Sequence, residues 1–548
     1  MNLKECKLPT IQFKGKSFVQ NHHLSVPYHQ LVPNKEQSLT DKISLQDNLI
    51  IHGDNLLALK SLLPTYAGKI KCIYIDPPYN TGNEGWVYND RVNSPFINEW
   101  IGKVVGKEGE DFTRHDKWLC MMMPRLKLLK ELLSDDGIVL ISIDDIEQGR
   151  LKVLLDEVFS ENNFLSTLVW KSRQNKDNRN LTGLSNDHEY VVAYAKDIYS
   201  SKLFLGEERK SEQFKNPDND PRGDWASGNM VGILPEEQRP NCHYDLINPE
   251  TGINYGKPKL GWRYDQNTMK RLMEEGRIIW PSEPTGRPRR KVFIKELKSE
   301  TTGFSSVIGE NVYTRHGSAD INEIFEERVF DFPKPTTLVK EILKQVSGEN
   351  GIVLDSFAGT GTTAQAVLEL NKEDGGNRNF ILVEMEDYAE TITAERVRRV
   401  INGVPNSRND NLREGLGGTF SYFDLGTPIE ISSILSGESM PSYLELARYL
   451  YYTATGEEFN EPNIDESRGF IGTSSQYDIY MLYKPDIEYL KQTALTLDLA
   501  RELREKSGHR SLLVFAPTKY VETSELDNLK ITFCQLPFEL YKVNHGAS

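Results

Sequence analysis

The sequence predicts an α/β protein with a parallel β-sheet, interrupted by an inserted loop-rich domain and followed by a second α/β unit. Short apolar runs that end in turn residues alternate with stretches of helical periodicity, which is typical of βαβ units. This alternation fades between 197 and 330, where Gly, Pro, Asn and Asp accumulate, and then returns. A chain of 548 residues is long enough to bury several such cores.

The individual elements follow from the same two patterns. Strands are predicted where apolar runs stop at turn residues, and helices where apolar residues recur every three or four positions. In chain order the predicted elements are strand 49–54, helix 55–63, strand 70–75, helix 118–133, strands 137–143 and 191–194, helix 337–346, strand 352–354, helix 362–370 and strand 380–383. A later group comprises an aromatic-rich helix at 443–452 and strands at 479–483, 512–516 and 531–534.

These changes of pattern divide the chain into five predicted segments. They are an irregular N-terminal arm at 1–45, a first half of the main domain at 46–196, the inserted domain at 197–330, a second half of the main domain at 331–403 and a C-terminal accessory or interaction domain at 404–548.

Composition argues against several classes of protein. No run of about 18 apolar residues occurs, so a membrane-spanning helix is not expected. The first residues also lack the apolar segment of a secretory signal. The five cysteines form no CxxC pair and the ten histidines no HExxH motif. We therefore expect reduced thiols, a cytoplasmic location and no metal.

Charge is distributed unevenly along the chain. The net charge is −15, yet between 257 and 298 twelve Lys or Arg residues stand against five Asp or Glu residues, with aromatic residues among them. Basic residues interleaved with aromatic ones suit phosphate contacts combined with base stacking. A solvated charged surface is the plainer alternative. The candidate nucleic-acid contacts are Lys171, Arg173, Arg287, Arg289, Arg290 and Lys291.

The first chemical motif is Asp76-Pro77-Pro78-Tyr79, which closes a predicted strand. Functional residues of open parallel sheets cluster at such carboxyl ends. The two prolines have no N–H group and a fixed φ, so their carbonyls become rigid acceptors beside a carboxylate. Such a pair can accept both hydrogens of an exocyclic amine, and Tyr79 can stack on the ring that carries the amine. A simple strand-ending turn is the alternative.

The second motif is the glycine-containing turn from Asp355 to Gly361, between a predicted strand and a helix. Glycines at such a turn let a bulky ligand approach the backbone. Glu384 ends the next strand, where an acidic residue can bind ribose hydroxyls. Asp54 follows a third strand, either as a helix cap or as a further ligand contact.

The two motifs together resemble the amino-methyltransferases of DNA, which use S-adenosyl-L-methionine. The resemblance assigns Asp76, Pro77, Pro78 and Tyr79 to the target amine. Its implied cofactor contacts are Asp355, Phe357, Gly359 and Gly361 around the pocket, Glu384 at the ribose, Asp54 near the adenine, and Lys334 and Thr336 over the methionine end.

The order of the motifs resembles the beta arrangement of this family. The Asp76 motif precedes the insertion and the glycine turn follows it, as in a circularly permuted Rossmann-like methyltransferase fold. The resemblance implies that the insertion at 197–330 is a target-recognition domain. The basic cluster at 257–298 lies inside this insertion.

A closer resemblance is to the modification subunits of type III restriction–modification systems. It is carried by the segments 73–82, 136–145, 331–335 and 374–378, and extends from about 50 to 403. It implies double-stranded DNA as the substrate, a homodimer, and a separate restriction subunit with helicase and nuclease activity as a partner.

The expected function is therefore methylation of adenine N6 in duplex DNA by base flipping. Asp at position 76 favours adenine, because Ser is commoner there in the cytosine enzymes of the family. The alternatives are methylation of cytosine N4, methylation of RNA, and a non-catalytic DNA-binding specificity subunit. A nicotinamide oxidoreductase would leave the Asp76 motif without a role.

Overall fold

The computed structural model describes residues 10–80, 113–176, 183–200, 204–209, 211–297, 301–429, 434, 440–457 and 459–536. The chain forms two compact units, one comprising residues 1–204 and 305–548 and the other Leu205–Phe304. Within the described residues no helix is long and apolar enough to cross a membrane.

Strands and helices alternate through most of the first unit. The strands are β1 (His29–Pro33), β2 (Leu49–His52), β3 (Ile70–Ile75), β4 (Leu133–Ile143), β5 (Phe164–Trp170), β6 (Glu189–Ala195), β7 (Glu207–Glu208), β8 (Trp225–Gly228), β9 (Ile278–Ile279), β10 (Arg289–Phe293), β11 (Thr301–Thr302), β12 (Val307–Ile308), β13 (Ile352–Asp355), β14 (Asn379–Glu384), β15 (Ser421–Pro428), β16 (Phe470–Thr473), β17 (Tyr477–Met481), β18 (Ser511–Ala516) and β19 (Ile531–Gln535).

The helices are α1 (Lys16–Val19), α2 (His22–Ser25), α3 (Asn55–Tyr66), α4 (Arg114–Leu132), α5 (Gln148–Phe159), α6 (Gln266–Glu274), α7 (Thr314–Phe325), α8 (Thr336–Val346), α9 (Thr362–Asp374), α10 (Glu395–Asn402), α11 (Asp410–Glu414), α12 (Tyr443–Thr455), α13 (Ile487–Gln492), α14 (Leu497–Lys506) and α15 (Thr523–Asn528).

A ten-stranded sheet organises the described part of the first unit, in the order β1-β15-β2-β14-β13-β3-β4-β6-β5-β12. The central strands from β15 to β4 are parallel, and β6 runs antiparallel to both of its neighbours. This is an open, largely parallel Rossmann-like sheet, so the predicted α/β fold class is confirmed. Because β3 and β4 are apolar on both faces, they are buried between helical layers.

The N-terminal segment differs from the prediction of an irregular arm. Strand β1 pairs antiparallel with β15 and forms one edge of the large sheet. Strand β15 lies beyond 403 in sequence but pairs in parallel with β2. The sheet therefore recruits residues from both predicted terminal segments, which is a correction to the boundaries at 45 and 403.

The C-terminal residues form a second, four-stranded sheet in the order β16-β17-β18-β19, with β17 to β19 parallel. The predicted strands at 479–483, 512–516 and 531–534 correspond to β17, β18 and β19. Buried residues of α12, β17 and β18 belong to the same apolar cluster as those of α3 and α4. This sheet is therefore packed into the core of the first unit.

The second unit, Leu205–Phe304, begins and ends with the paired strands β7 and β11. It contains a three-stranded sheet in the order β8-β10-β9 and a small core around Trp262 and Met269. The insertion predicted at 197–330 is longer than this unit. Strand β12 pairs with β5, and α7 follows it, so both belong to the first unit.

Candidate active site

The candidate site lies where four neighbouring parallel strands end. Strands β2, β14, β13 and β3 are adjacent in the sheet and run in the same direction. Their carboxyl ends therefore meet at one edge, where open α/β sheets bind ligands. This arrangement brings together the sequence motifs around Asp54, Glu384, Asp355 and Asp76.

The turn after β3 is held rigidly from both sides. The indole N–H of Trp118 donates to the Pro78 carbonyl at 2.7 Å. Asn80 has a φ of 61°, in the left-handed region, and its amide donates to Glu147 Oε1 at 2.5 Å. Glu147 is fully buried and also contacts the ring of His115. The Pro78 carbonyl is therefore already engaged within the protein by Trp118.

The ammonium of Lys334 lies beside the Asp76 motif. It is 3.0 Å from Asp76 Oδ2 and 3.3 Å from Glu189 Oε2, and 4.7 Å from the ring centroid of Tyr79. Burial acts to lower the pKa of Lys334, but the carboxylates of Asp76 and Glu189 outweigh burial and raise it above its ordinary value. The side chain is therefore a buried cation.

Asp76 presents its two carboxylate oxygens differently. Oδ2 is paired with Lys334, whereas Oδ1 is buried and has no hydrogen-bond partner among the described residues. A buried acceptor without a donor is costly in a folded protein, so such an atom points to a ligand. The exocyclic amine of a base has the donor that Oδ1 lacks.

The glycine turn after β13 is fixed by its own carboxylate. Asp355 Oδ1 accepts the N–H of Phe357 at 3.0 Å, and Oδ2 accepts the hydroxyl of Thr363 at 2.5 Å. Gly359 and Gly361 have φ values of 53° and 78°, which favour glycine. Burial raises the pKa of Asp355 to about 7.

A cavity lies between this turn and the Asp76 motif. The lining residues are Tyr74, Asp76, Phe330, Phe332, Pro333, Lys334, Asp355, Phe357, Ala358, Gly359, Thr360, Thr362 and Thr363. The lining carries charges of both signs, because Asp76 is paired with the cation Lys334 and Asp355 adds a buried carboxylate, which can attract a ligand with a positive charge.

Glu384 and Asp54 do not line this cavity, and both carboxylates accept backbone N–H groups. Glu384 Oε2 accepts the N–H of Gly359 at 2.7 Å and Oε1 accepts two N–H groups of its own turn, at 2.9 and 3.0 Å. Burial raises the pKa of Glu384 to about 7. Asp54 caps α3 by accepting the N–H of Leu56 at 2.7 Å. Their roles toward a ligand remain predictions.

Arg396 is a buried residue beside the glycine turn that the sequence analysis did not predict. It is fully buried and donates to the side chains of Thr336, Thr360, Thr362 and Gln365 at 2.7–3.0 Å. It thereby connects the start of α8 to the glycine turn and the start of α9. The hydroxyl of Thr336 is used in this network, so Thr336 supports the cofactor side indirectly.

Glu189 and Glu147 were also missed. Glu189 begins β6, and because β6 is antiparallel, its first residue lies at the edge where β4 ends. Apolar periodicity predicts the strand but not its direction. Glu147 precedes α5 with no motif around it. The signal that could have found Glu189 is a polar residue two positions before the predicted strand at 191–194.

The basic candidates separate into two groups. Lys171 and Arg173 are exposed in the first unit, and Arg287 and Arg289 are exposed in the second. Lys291 is buried, and its ammonium pairs with Asp218 and with Asp220 at 2.9 Å. The alternating pleat of β10 turns Lys291 and Phe293 to the buried face, so Lys291 is withdrawn as a DNA contact.

Arg290 takes an intermediate position. It is half-buried, and its guanidinium lies 5.4 Å from the ring centroid of Tyr264. The described residues contain no group of three or more His, Cys, Asp or Glu side chains that would hold a metal ion.

The two motifs line one cavity at the carboxyl ends of parallel strands, as the sequence resemblance implies for a methyltransferase of the N6/N4 class. The family model described as DNA methylase matches residues 70–395, which is more than half of the chain. The chain belongs to this DNA methylase family.

Several relatives are similar over most of the chain. The type III restriction-modification enzyme StyLTI Mod subunit of Salmonella typhimurium is 30% identical over 77% of this chain and 66% of its own length. The EcoP15I Mod subunit of Escherichia coli is 30% identical over 69% and 64%. The type II methyltransferase M.KpnI of Klebsiella pneumoniae is 32% identical over 61% and 79%. The chain thus spans just under two thirds of the length of these type III relatives.

A solved structure, M1.HpyAVI in complex with S-adenosyl-L-methionine, is 16% identical over 64% of this chain and 98% of its own. Its TM-score of 0.28 is too low to support a structural argument.

Proposed function

We propose that the chain is a site-specific DNA methyltransferase that transfers a methyl group from S-adenosyl-L-methionine to adenine N6 in duplex DNA. The observation that carries the proposal is the buried Oδ1 of Asp76 on the wall of the cavity, which has no hydrogen-bond partner among the residues that the structure describes. Membership of the DNA methylase family and similarity to type III Mod subunits support it.

The residues of the cavity fit the cofactor. S-adenosyl-L-methionine, when bound, supplies an electrophilic methyl group on a cationic sulfur. Asp355, Phe357, Gly359 and Gly361 would hold it, since the buried carboxylate suits a cation and the glycine turn admits a ligand near the backbone. Glu384 would bind the ribose and Asp54 would lie near the adenine, as the family resemblance implies.

The Asp76 motif would bind the target base. A base must leave the duplex to reach it, which costs a few kcal/mol. Stacking on Tyr79 returns about 1–3 kcal/mol. Asp76 Oδ1 and the Pro77 carbonyl accept the two hydrogens of the amine, so that its lone pair points toward the cavity. The gain in rate comes mainly from positioning the amine.

The second unit is proposed as the target-recognition domain. Arg287, Arg289 and Arg290 would contact DNA from it, and Lys171 and Arg173 from the first unit. By analogy with the type III relatives, we also propose a homodimer and a separate restriction subunit as a partner.

The test is to express the chain alone in cells that lack adenine methylation and to sequence their DNA with a method that reads modified bases. N6-methyladenine at one short motif is expected with the wild type. Asp76→Ala should abolish it, because the acceptor for the amine is gone, while cofactor binding in calorimetry stays unchanged. Asp135→Ala is the control, because that carboxylate is exposed and remote from the site.

Three outcomes would contradict parts of the proposal. N4-methylcytosine would correct the target base and keep the mechanism. Full methylation by Asp76→Ala would remove Asp76 from its role. A wild type that binds the cofactor but modifies no DNA would favour an RNA substrate or a non-catalytic specificity subunit.

A further inference from the structure

Glu189 lies beside the target pocket, although no sequence motif includes it. It opens β6, whose residues Tyr190 and Val191 pair with Ile143 and Ser142 at the carboxyl end of β4. Its side chain is 19% exposed, so the carboxylate is mostly shielded from water. A carboxylate in such a place needs donors of its own.

Two donors converge on one oxygen of Glu189. The Tyr79 hydroxyl donates to Oε2 at 3.0 Å, and the Lys334 ammonium lies 3.3 Å from the same atom. The same ammonium is 3.0 Å from Asp76 Oδ2. Asp76 and Tyr79, the first and last residues of the motif, are thus also connected through the side chains of Lys334 and Glu189.

This closed arrangement has a geometric consequence. Tyr79 can present its ring to a base only if the side chain is held in place, and the hydroxyl contact with Glu189 anchors its outer end. Asp76 can offer one defined acceptor only if the other oxygen is occupied, and Lys334 occupies Oδ2. With Oδ2 occupied, Oδ1 is the oxygen left without a partner among the described residues.

Lys334 also connects this arrangement to the cofactor side. Its backbone carbonyl accepts the hydroxyl of Thr362 at 3.3 Å, at the start of the helix that follows the glycine turn. The side chain of Lys334 lines the cavity, while its ammonium contacts the target residues. Lys334 therefore links the position of the acceptor, Asp76, to the position of the glycine turn.

We propose that Glu189 is a positioning residue for the target base. It orients the Tyr79 ring through the hydroxyl and holds Lys334 against Asp76 Oδ2, which leaves Oδ1 to accept the target amine. This inference rests on the proposed function and adds a residue to it. It also gives Lys334 a role in the target pocket in addition to its predicted place over the methionine end.

The experiment compares Glu189→Ala, Glu189→Gln and Tyr79→Phe in single-turnover and steady-state methylation of duplex DNA. Glu189→Ala should lower kcat about tenfold or more, because a charge-assisted contact is lost. Glu189→Gln should recover part of the rate, since its amide oxygen can still accept the Tyr79 hydroxyl. The cofactor Kd should stay within about twofold of the wild type, because Glu189 does not line the cavity.

A double variant separates positioning from general destabilisation. Tyr79→Phe/Glu189→Ala should be little slower than Glu189→Ala alone, because both changes remove the contact between Tyr79 and Glu189, and only the interaction of the Tyr79 hydroxyl with Asp76 is lost in addition. Glu373→Ala is the matched control. It also removes one of two carboxylates that pair with a lysine, here Lys340 at 2.6 Å, but at the end of α9 opposite to Thr362 and Thr363, which line the cavity. Its kcat should equal that of the wild type, and melting curves should show that every variant is folded.

A kcat of Glu189→Ala equal to that of the wild type would overturn the inference alone. A double variant whose loss in activation free energy is the sum of the losses of the two single variants would do the same. Loss of cofactor binding in parallel with kcat would also overturn it, since that result indicates a structural role. A wild-type chain that methylates no DNA would overturn the proposed function, and the inference would fall with it.

Discussion

Asp355 and Glu384 are buried carboxyl groups at adjacent strand ends, and burial raises the pKa of each to about 7. The ordinary values are 3.8 and 4.5. Between these values and 7 the folded protein binds more protons than the unfolded chain. Both groups therefore reduce the free energy of unfolding as the pH rises through this range.

A cationic ligand in the cavity reverses this preference, because it stabilises the ionised form of Asp355. We expect the affinity for S-adenosyl-L-methionine to increase as the pH rises from 6 to 8, with release of protons on binding. Calorimetry in two buffers of different ionisation enthalpy measures that release. Asp355→Asn should bind more weakly and lose most of the pH dependence. An affinity that is independent of pH in the wild type would contradict this assignment.

Arg396 on α10 connects three elements of the cofactor side. Its four side-chain hydrogen bonds lie in a fully buried position, where burial lowers the pKa of the guanidinium to about 10. At physiological pH it is still charged. Its loss would leave the hydroxyls of Thr336, Thr360 and Thr362 without their donor in the core.

Arg396→Lys should lower the free energy of unfolding by about 3 kcal/mol, because an ammonium cannot reach all four acceptors. It should also weaken cofactor binding, since the glycine turn loses its anchor. Arg399→Lys is the control on the same helix, where a half-exposed pair with Glu395 contributes at most about 1 kcal/mol. Denaturant unfolding and calorimetry measure both effects. Equal stability of the two variants would show that the network is unimportant.

Sequence patterns predict best the elements whose residues follow a single clear pattern, such as an apolar run that ends at a polar residue. The strands before Asp76, Asp355 and Glu384 are apolar runs that stop at a carboxylate, so both the strands and the residues at their ends could be predicted. Strand β1, with the sequence His-Gln-Leu-Val-Pro, is partly polar because it forms a sheet edge. Edge strands of this kind carry no clear periodicity.

Contacts between distant residues could not be predicted. The pairing of Lys334 with Glu189 and the burial of Arg396 depend on which strands become neighbours, which periodicity does not reveal. For Lys291 the sequence predicts a DNA contact, whereas the structure places the side chain in the interior. A basic cluster in the sequence indicates local charge, but the pleat of β10 decides which of its side chains reach the surface.

At the scale of the whole molecule, the second unit is a single insertion in the sequence of the first, and the paired strands β7 and β11 lie at its two ends. Its own core is separate from the large apolar cluster of the first unit. The first unit, by contrast, shares one core between α3 and the C-terminal sheet. The two regions should therefore respond differently to deletion.

Replacing residues 209–300 by a short Gly-Ser linker should leave a folded protein that binds S-adenosyl-L-methionine with nearly wild-type affinity but loses site-specific DNA binding. Deleting residues 440–548 should instead give an insoluble chain, because the apolar face of α3 that packs on α12 becomes exposed. Calorimetry and DNA-binding titrations check the first variant, and solubility the second. Retained sequence-specific DNA binding in the linker variant would remove the second unit from target recognition.

The strand order also determines when the sheet can be completed during synthesis. Strands β2 and β3 leave the ribosome early, but β14 and β13, which fill the gap between them, follow almost 300 residues later. At about 5–20 residues per second this gap stays open for roughly 15–60 s. Both early strands are apolar, so the nascent chain carries unpaired strand edges that are prone to aggregation throughout that interval. A slow stretch of translation within the insertion would lengthen the exposure, and chaperone demand should rise with it.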